Sequence, residues 1–135
     1  MRILLIDDHS LVLSSISNAL ELFNHQCDAF QSPKMALEMV DENRYDVAIV
    51  DYSMIEMNGV EVINVIHEKD AQVKLILMSG YGDVASEVLS QGQHVHAFFT
   101  KPLKIVNLIE TLEQINRDKY FNFGELSFHH AVLCH

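Results

Sequence analysis

The chain has 135 residues, 49% of them apolar and 21% charged, with a formal net charge of −10. That length suits one compact domain with its own core, and the balance lies far from disordered chains. Acidity without a Lys/Arg stripe argues against direct nucleic-acid binding, and no apolar run approaches the roughly 18 residues of a membrane span. The apolar start, MRILLID, meets acid after four residues and does not read as a signal peptide. Cys27 and Cys134 follow no metal or redox spacing. A reduced, cytoplasmic protein is expected.

Short apolar runs alternate with helical patterns. Residues 3–6 read as a buried strand, and 11–23 as a helix with Val12, Ile16, Ala19, Leu20 and Phe23 on one face. A second strand over 26–30 leads to Ser32-Pro33, a cap followed by proline at the first helical position. That helix should turn Met35, Ala36, Met39 and Val40 inward. Residues 45–50 form the clearest central strand, because DVAIV is almost wholly apolar, as expected of a strand covered on both faces. Asn58-Gly59 marks a turn before a helix through Val62, Ile63 and Ile66. A fourth strand over 73–78, a helix near 83–90 and a fifth strand over 97–100 follow. Pro102 then opens a last helix through Ile105, Leu108, Ile109, Leu112 and Ile115.

Five βα units in succession predict an α/β domain with a parallel sheet and helices on both faces. Ligands of such sheets bind beyond the carboxyl ends of the strands. The residues there are Asp7 and Asp8 after the first strand, Asp51 at the end of the third, Ser79 after the fourth, and Thr100-Lys101-Pro102 after the fifth. Three clustered carboxylates repel one another unless a cation lies among them. Their all-oxygen chemistry favours Mg²⁺. The competing structural role is a helix cap, since Asp8 or Ser10 could cap the first helix. A carboxylate beside Mg²⁺ and a lysine can attack a phosphoryl group and form an aspartyl phosphate. Lys101 and the Ser79 hydroxyl would then share the incoming oxygens.

The segments IDD, VAIVD followed by YSMIEMNG, LMSG and FFTKP, in that order, resemble the response-regulator receiver family over about residues 1–117. The resemblance implies a flavodoxin-like doubly wound (βα)5 fold with strand order 2-1-3-4-5. It makes Asp51 the phosphoacceptor and gives Mg²⁺ to Asp7, Asp8, Asp51 and the backbone carbonyl of Ser53, with Asp8 the closer ligand of the acidic pair. Ser79 takes the family's hydroxyl position and Lys101 its lysine position, and the Lys101–Pro102 peptide bond is expected to be cis. Phe98, three residues before the lysine, takes the aromatic switch position, coupled to Ser79. The implied signalling face comprises the fourth helix, fifth strand and fifth helix, where a downstream protein would dock. The phosphodonor would be a sensor histidine kinase or a phosphorelay histidine protein, and the chain would be a switch rather than an enzyme turning over an external substrate.

Some residues depart from the family's pattern. Ile55 stands where proline is usual, the approach to the fifth strand is about two residues long and holds His94 and His96, and the positions that tune water attack carry Ser53 and Tyr81. The HVH segment reads as a solvated loop with no evident third ligand. Gly80-Tyr81-Gly82-Asp83-Val84-Ala85 matches a dinucleotide fingerprint, yet the next strand ends in Lys101 rather than an acid. An aspartyl phosphatase would want a second Asp where Ser53 lies. Residues 118–135 include Tyr120, Phe121, Phe123 and Phe128. They read as an apolar tail or the start of a linker, packing on the domain's own edge or on a second copy in a homodimer. A receiver-fold protein that signals through its tail or surface without phosphorylation is the alternative function.

Overall fold

The computed structural model describes residues 1–80 and 94–133, with side chains as far as Lys119. The helix expected near 83–90, Tyr81, all of the dinucleotide-like motif after Gly80, and Cys134 lie outside the described residues. Among the described residues the elements run β1 (Arg2–Ile6), α1 (Ser10–Leu22), β2 (Gln26–Phe30), α2 (Pro33–Glu42), β3 (Val47–Asp51), α3 (Gly59–Lys69), β4 (Lys74–Ser79), β5 (Ala97–Thr100) and α4 (Ile105–Leu133). The five strands are all parallel, in order β2-β1-β3-β4-β5. This is the flavodoxin-like arrangement, and the chain reverses its direction across the sheet between β1 and β3.

Strand alternation explains why the central strands are apolar between their first residues and their carboxyl ends. Leu4, Ile6, Ala48, Val50, Leu75 and Leu77 face Ala36, Val40, Val62, Ile63 and Ile66 of α2 and α3. Ile3, Leu5, Val47, Ile49, Ile76 and Met78 face the other way, against Ile16 and Leu20 of α1 and Leu108, Ile109, Leu112 and Ile115 of α4. Both faces are therefore dry, and every strand residue must be apolar until the strand emerges at its carboxyl end.

Local chemistry fixes where helices begin. Ser32 Oγ accepts from Met35 N and Pro33 occupies the first turn of α2. Asn58 and Glu61 form a reciprocal capping box at α3, each side chain accepting from the other's backbone N–H. Neither Asp8 nor Ser10 caps α1; its N-cap is His9, whose side chain makes no capping bond. Three expectations about faces and ends need correction. Phe23 is exposed because α1 ends one residue earlier and the chain turns there, with Asn24 in the left-handed region at φ 66°. Met35 is exposed, since the buried stripe of α2 runs through Pro33, Ala36 and Val40, with Leu37 and Met39 packed at its sides. Pro102 lies before the last helix rather than opening it, and α4 starts at Ile105.

α4 is 29 residues long, continuing through position 117 to Leu133 without a break. No helix among the described residues is long and apolar enough to cross a membrane.

Candidate functional site

β1 ends at Ile6 and releases Asp7 and Asp8; β3 ends on Asp51 itself; β4 ends on Ser79; β5 ends at Thr100, immediately before Lys101. Because β1, β3 and β4 are adjacent and parallel, their carboxyl ends converge. Asp7, Asp51 and Ser79 are buried there, the only buried polar or charged residues among those described.

Lys101 ties the group together. Its Nζ lies 2.9 Å from Asp7 Oδ2 and 3.1 Å from Asp51 Oδ1. Lys101 N donates to Ser79 O at 2.8 Å, and the Lys101–Pro102 peptide bond is cis. Asp7 has both oxygens engaged, since Oδ1 accepts from His9 N at 2.9 Å. Asp8 Oδ1 and Asp51 Oδ2 are buried and accept no hydrogen bond. Buried carboxylate oxygens that accept no hydrogen bond are costly and call for a cation.

His9 is the residue that sequence reasoning passes over. Its Nδ1 lies 3.2 Å from Asp8 Oδ1 and 3.5 Å from Asp7 Oδ1. Asp7, Asp8, His9 and Asp51 can each present a ligand atom within 4.8 Å of the others. The signal was available: His9 follows the acidic pair directly, and a residue at the N-cap of α1 has to lie over the end of β1.

The charges in this cleft are set by burial first. Burial and then the charge of Asp7 push the Asp51 carboxyl above the ordinary carboxylate range, with Lys101 pulling it back and Asp8 adding to the rise. Burial works against the Lys101 ammonium, but its bonds to Asp7 and Asp51 and their charges outweigh that and raise its pKa. A buried nucleophile-capable carboxylate held by a permanent cation beside two more acids is suited to receiving an anionic phosphoryl group once further positive charge is present.

The remaining candidates surround this centre. Ser53 is exposed in the loop after β3, two residues past Asp51, and Ile55 stands almost wholly in solvent. Phe98 is half-buried on β5, opposite Leu77 of β4, and packs on the core face shared with α2 and α3. Gly59, the first residue of α3, approaches closely: a Cβ there would lie 2.6 Å from Asp51 O and 2.7 Å from Tyr52 Cα. Only glycine lets α3 start against the chain leaving Asp51.

The sequence profile of the family described as response regulator receiver domain matches residues 3–113. The chain belongs to the response regulator receiver family. The response regulator protein TodT of Pseudomonas putida is 29% identical over 107 residues, covering 79% of this chain and 47% of TodT. The chain thus spans about half the length of the curated relative it matches there. A response regulator receiver domain from Clostridium thermocellum superposes with a TM-score of 0.78 at 28% identity, over 89% of this chain and 98% of that one. The response regulator TrrA of Thermotoga maritima, solved in complex with Mg²⁺-BeF, has a TM-score of 0.76 at 24% identity, over 84% and 97%. As a receiver, the chain is of a kind that serves two-component signalling, and its buried acidic cleft occupies the ligand-binding end of the sheet.

Proposed function

We propose that this receiver is a phosphorylation-controlled switch whose phosphoacceptor is Asp51. The observation that carries the reading is the cleft itself: Asp51 at the end of β3, held by Lys101 and flanked by two acids. A sensor histidine kinase or a phosphorelay histidine protein would supply the phosphoryl group. A carboxylate oxygen of Asp51 attacks phosphorus, the bond from phosphorus to the donor's imidazole nitrogen breaks, and the freed imidazole takes a proton from solvent. Lys101 neutralises charge on the transferred group, and the Ser79 hydroxyl donates to it.

Mg²⁺ fits the cleft, because Asp8 Oδ1 and Asp51 Oδ2 are buried without hydrogen bonds while both oxygens of Asp7 are engaged. Asp8 and Asp51 would hold it directly, with the Ser53 carbonyl, and Asp7 would hold Lys101. Bound there, the ion supplies positive charge against the phosphoryl oxygens. Phe98 would respond to movement of Ser79 by repacking, since phenylalanine has no hydroxyl to anchor a rotamer, and would change the face presented to a downstream protein. We take residues 1–117 as the receiver and 118–135 as an extension, helical as far as Leu133, offered to a second copy or to a following region.

The test is to treat the protein with acetyl phosphate and Mg²⁺, reduce with borohydride and map peptides. Reduction converts an aspartyl phosphate to homoserine, expected at position 51 alone. Homoserine at Asp7 or Asp8, or none in a sample that took up phosphate, would overturn the assignment.

A further inference from the structure

His9 is the N-cap of α1, yet its side chain makes no capping bond and stands exposed at the rim of the acidic cleft. Its Nδ1 lies 3.2 Å from Asp8 Oδ1 and 3.5 Å from Asp7 Oδ1. Asp8 Oδ1 nevertheless accepts no hydrogen bond, so the ring nitrogen stands beside that oxygen without being aimed at it. Two ligands of one ion stand in that relation, since each lone pair points at the ion rather than at the other ligand. With bonds of about 2.1 Å, ligands at right angles lie about 3.0 Å apart and opposite ones about 4.2 Å. The ligand atoms of Asp7, Asp8, His9 and Asp51 all lie within 4.8 Å of one another. Lys101 takes other oxygens: its Nζ contacts Asp7 Oδ2 and Asp51 Oδ1, leaving Asp8 Oδ1 and Asp51 Oδ2.

We propose that His9 is a metal ligand of this cleft and makes it selective for a divalent d-block cation, such as Ni²⁺ or Zn²⁺, over Mg²⁺. The inference rests on the reading of Asp8 and Asp51 as the direct ligands of Mg²⁺. Carboxylate, carbonyl and water oxygens suit Mg²⁺, whereas imidazole nitrogen suits Zn²⁺, Ni²⁺ and their neighbours. An imidazole added to an all-oxygen shell therefore strengthens one class of ion and not the other. The main chain holds His9 in place, because His9 N donates to Asp7 Oδ1 at 2.9 Å and fixes the turn from β1 into α1. The exposure of His9 leaves the outward positions of the shell to water. An ion held in this way ties the N-cap of α1 to the phosphoacceptor strand through a side chain that Mg²⁺ does not use.

The experiment is calorimetric titration of Ni²⁺ and, separately, of Mg²⁺ into the untagged full chain at neutral pH. Every sample carries His129→Ala, His130→Ala and His135→Ala, so that the tail histidines do not compete. The parent is compared with His9→Ala, His9→Gln and Asp8→Asn, and circular dichroism checks the fold of each. The Ni²⁺ site in question is the one that Asp8→Asn weakens. Loss of an outer partner alone costs metal affinity about 10–100-fold, so losing His9 as a ligand should weaken Ni²⁺ at that site at least tenfold. Mg²⁺ affinity should change less than about twofold in the His9 variants, because that ion keeps to oxygen. Asp8→Asn should weaken both ions. Ni²⁺ binding unchanged by loss of His9, or an equal loss for both ions, would overturn the proposal and leave Mg²⁺ in the cleft. Mg²⁺ binding indifferent to Asp8→Asn would overturn the reading of the cleft itself, and the proposal with it.

Discussion

Asp7 and Asp8 are neighbours in sequence with opposite situations in space. Asp7 is spent on Lys101 and on the His9 backbone, whereas Asp8 keeps a buried oxygen without a hydrogen bond. Asp51 carries the cleft's least favourable charge. A carboxyl whose folded pKa is raised stabilises the fold fully below its ordinary value of about 4 and loses that contribution as pH rises through the folded value. Asp51→Asn should therefore raise the thermal midpoint of the Mg²⁺-free protein near neutral pH and leave it unchanged in acid. Mg²⁺ should raise the wild-type midpoint more than that of the variant. A lower midpoint for Asp51→Asn in the absence of Mg²⁺ would contradict the electrostatic account. Lys101→Gln has the opposite sense, since it strands two buried carboxylates. It should cost about 3 kcal/mol in urea unfolding without Mg²⁺, and less with it; a cost near zero would mean that Lys101 does not hold the cleft.

At the scale of elements, the strand ends were the most legible part of the chain. A strand covered on both faces is apolar until it emerges, so the first polar residues after 6, 50, 78 and 100 had to mark one edge of the sheet. Helix faces were less legible. Phe23 and Met35 have the spacing of core residues, yet α1 ends before the first and α2 meets the sheet along too narrow a stripe for the second. His9 was missed because a residue's neighbours across a turn are set by the turn's path. The stacking of His67 on His94 was invisible for the same reason, as the two are brought together only by the way α3 returns to β4. Two variants probe the junction after Asp51. Gly59→Ala forces a Cβ onto the Asp51 carbonyl and should destabilise by about 2 kcal/mol. Asn58→Ala removes half of the capping box and should cost about 1 kcal/mol. Equal, negligible effects in urea unfolding would mean that the start of α3 is not held against the phosphoacceptor strand.

Over the whole molecule, the parallel sheet joins two ends with different chemistry. One end gathers carboxylates and a lysine; at the other, Lys119 of α4 pairs with Asp46, just before β3, and Asp46 accepts from Arg2 N. Since Lys119 already reaches the amino-terminal edge of the sheet, the remaining 120–133 of α4 add about 20 Å of helix beyond it. That length was not legible, because an apolar tail rich in Phe has no single helical period, and it read equally as linker. Truncation after Lys119 should lower the oligomer mass or the thermal midpoint, measured by light scattering and calorimetry. No change in either would remove the extension from the account. The central claim is that the cleft makes Asp51 a phosphoacceptor that works with Mg²⁺. The most direct measurement is an intact-mass spectrum after incubation with a small phosphodonor, with and without Mg²⁺, on wild type and Asp51→Asn. The account predicts one Mg²⁺-dependent phosphoryl adduct on wild type and none on the variant; an adduct that persists in Asp51→Asn, or forms equally without Mg²⁺, would contradict it.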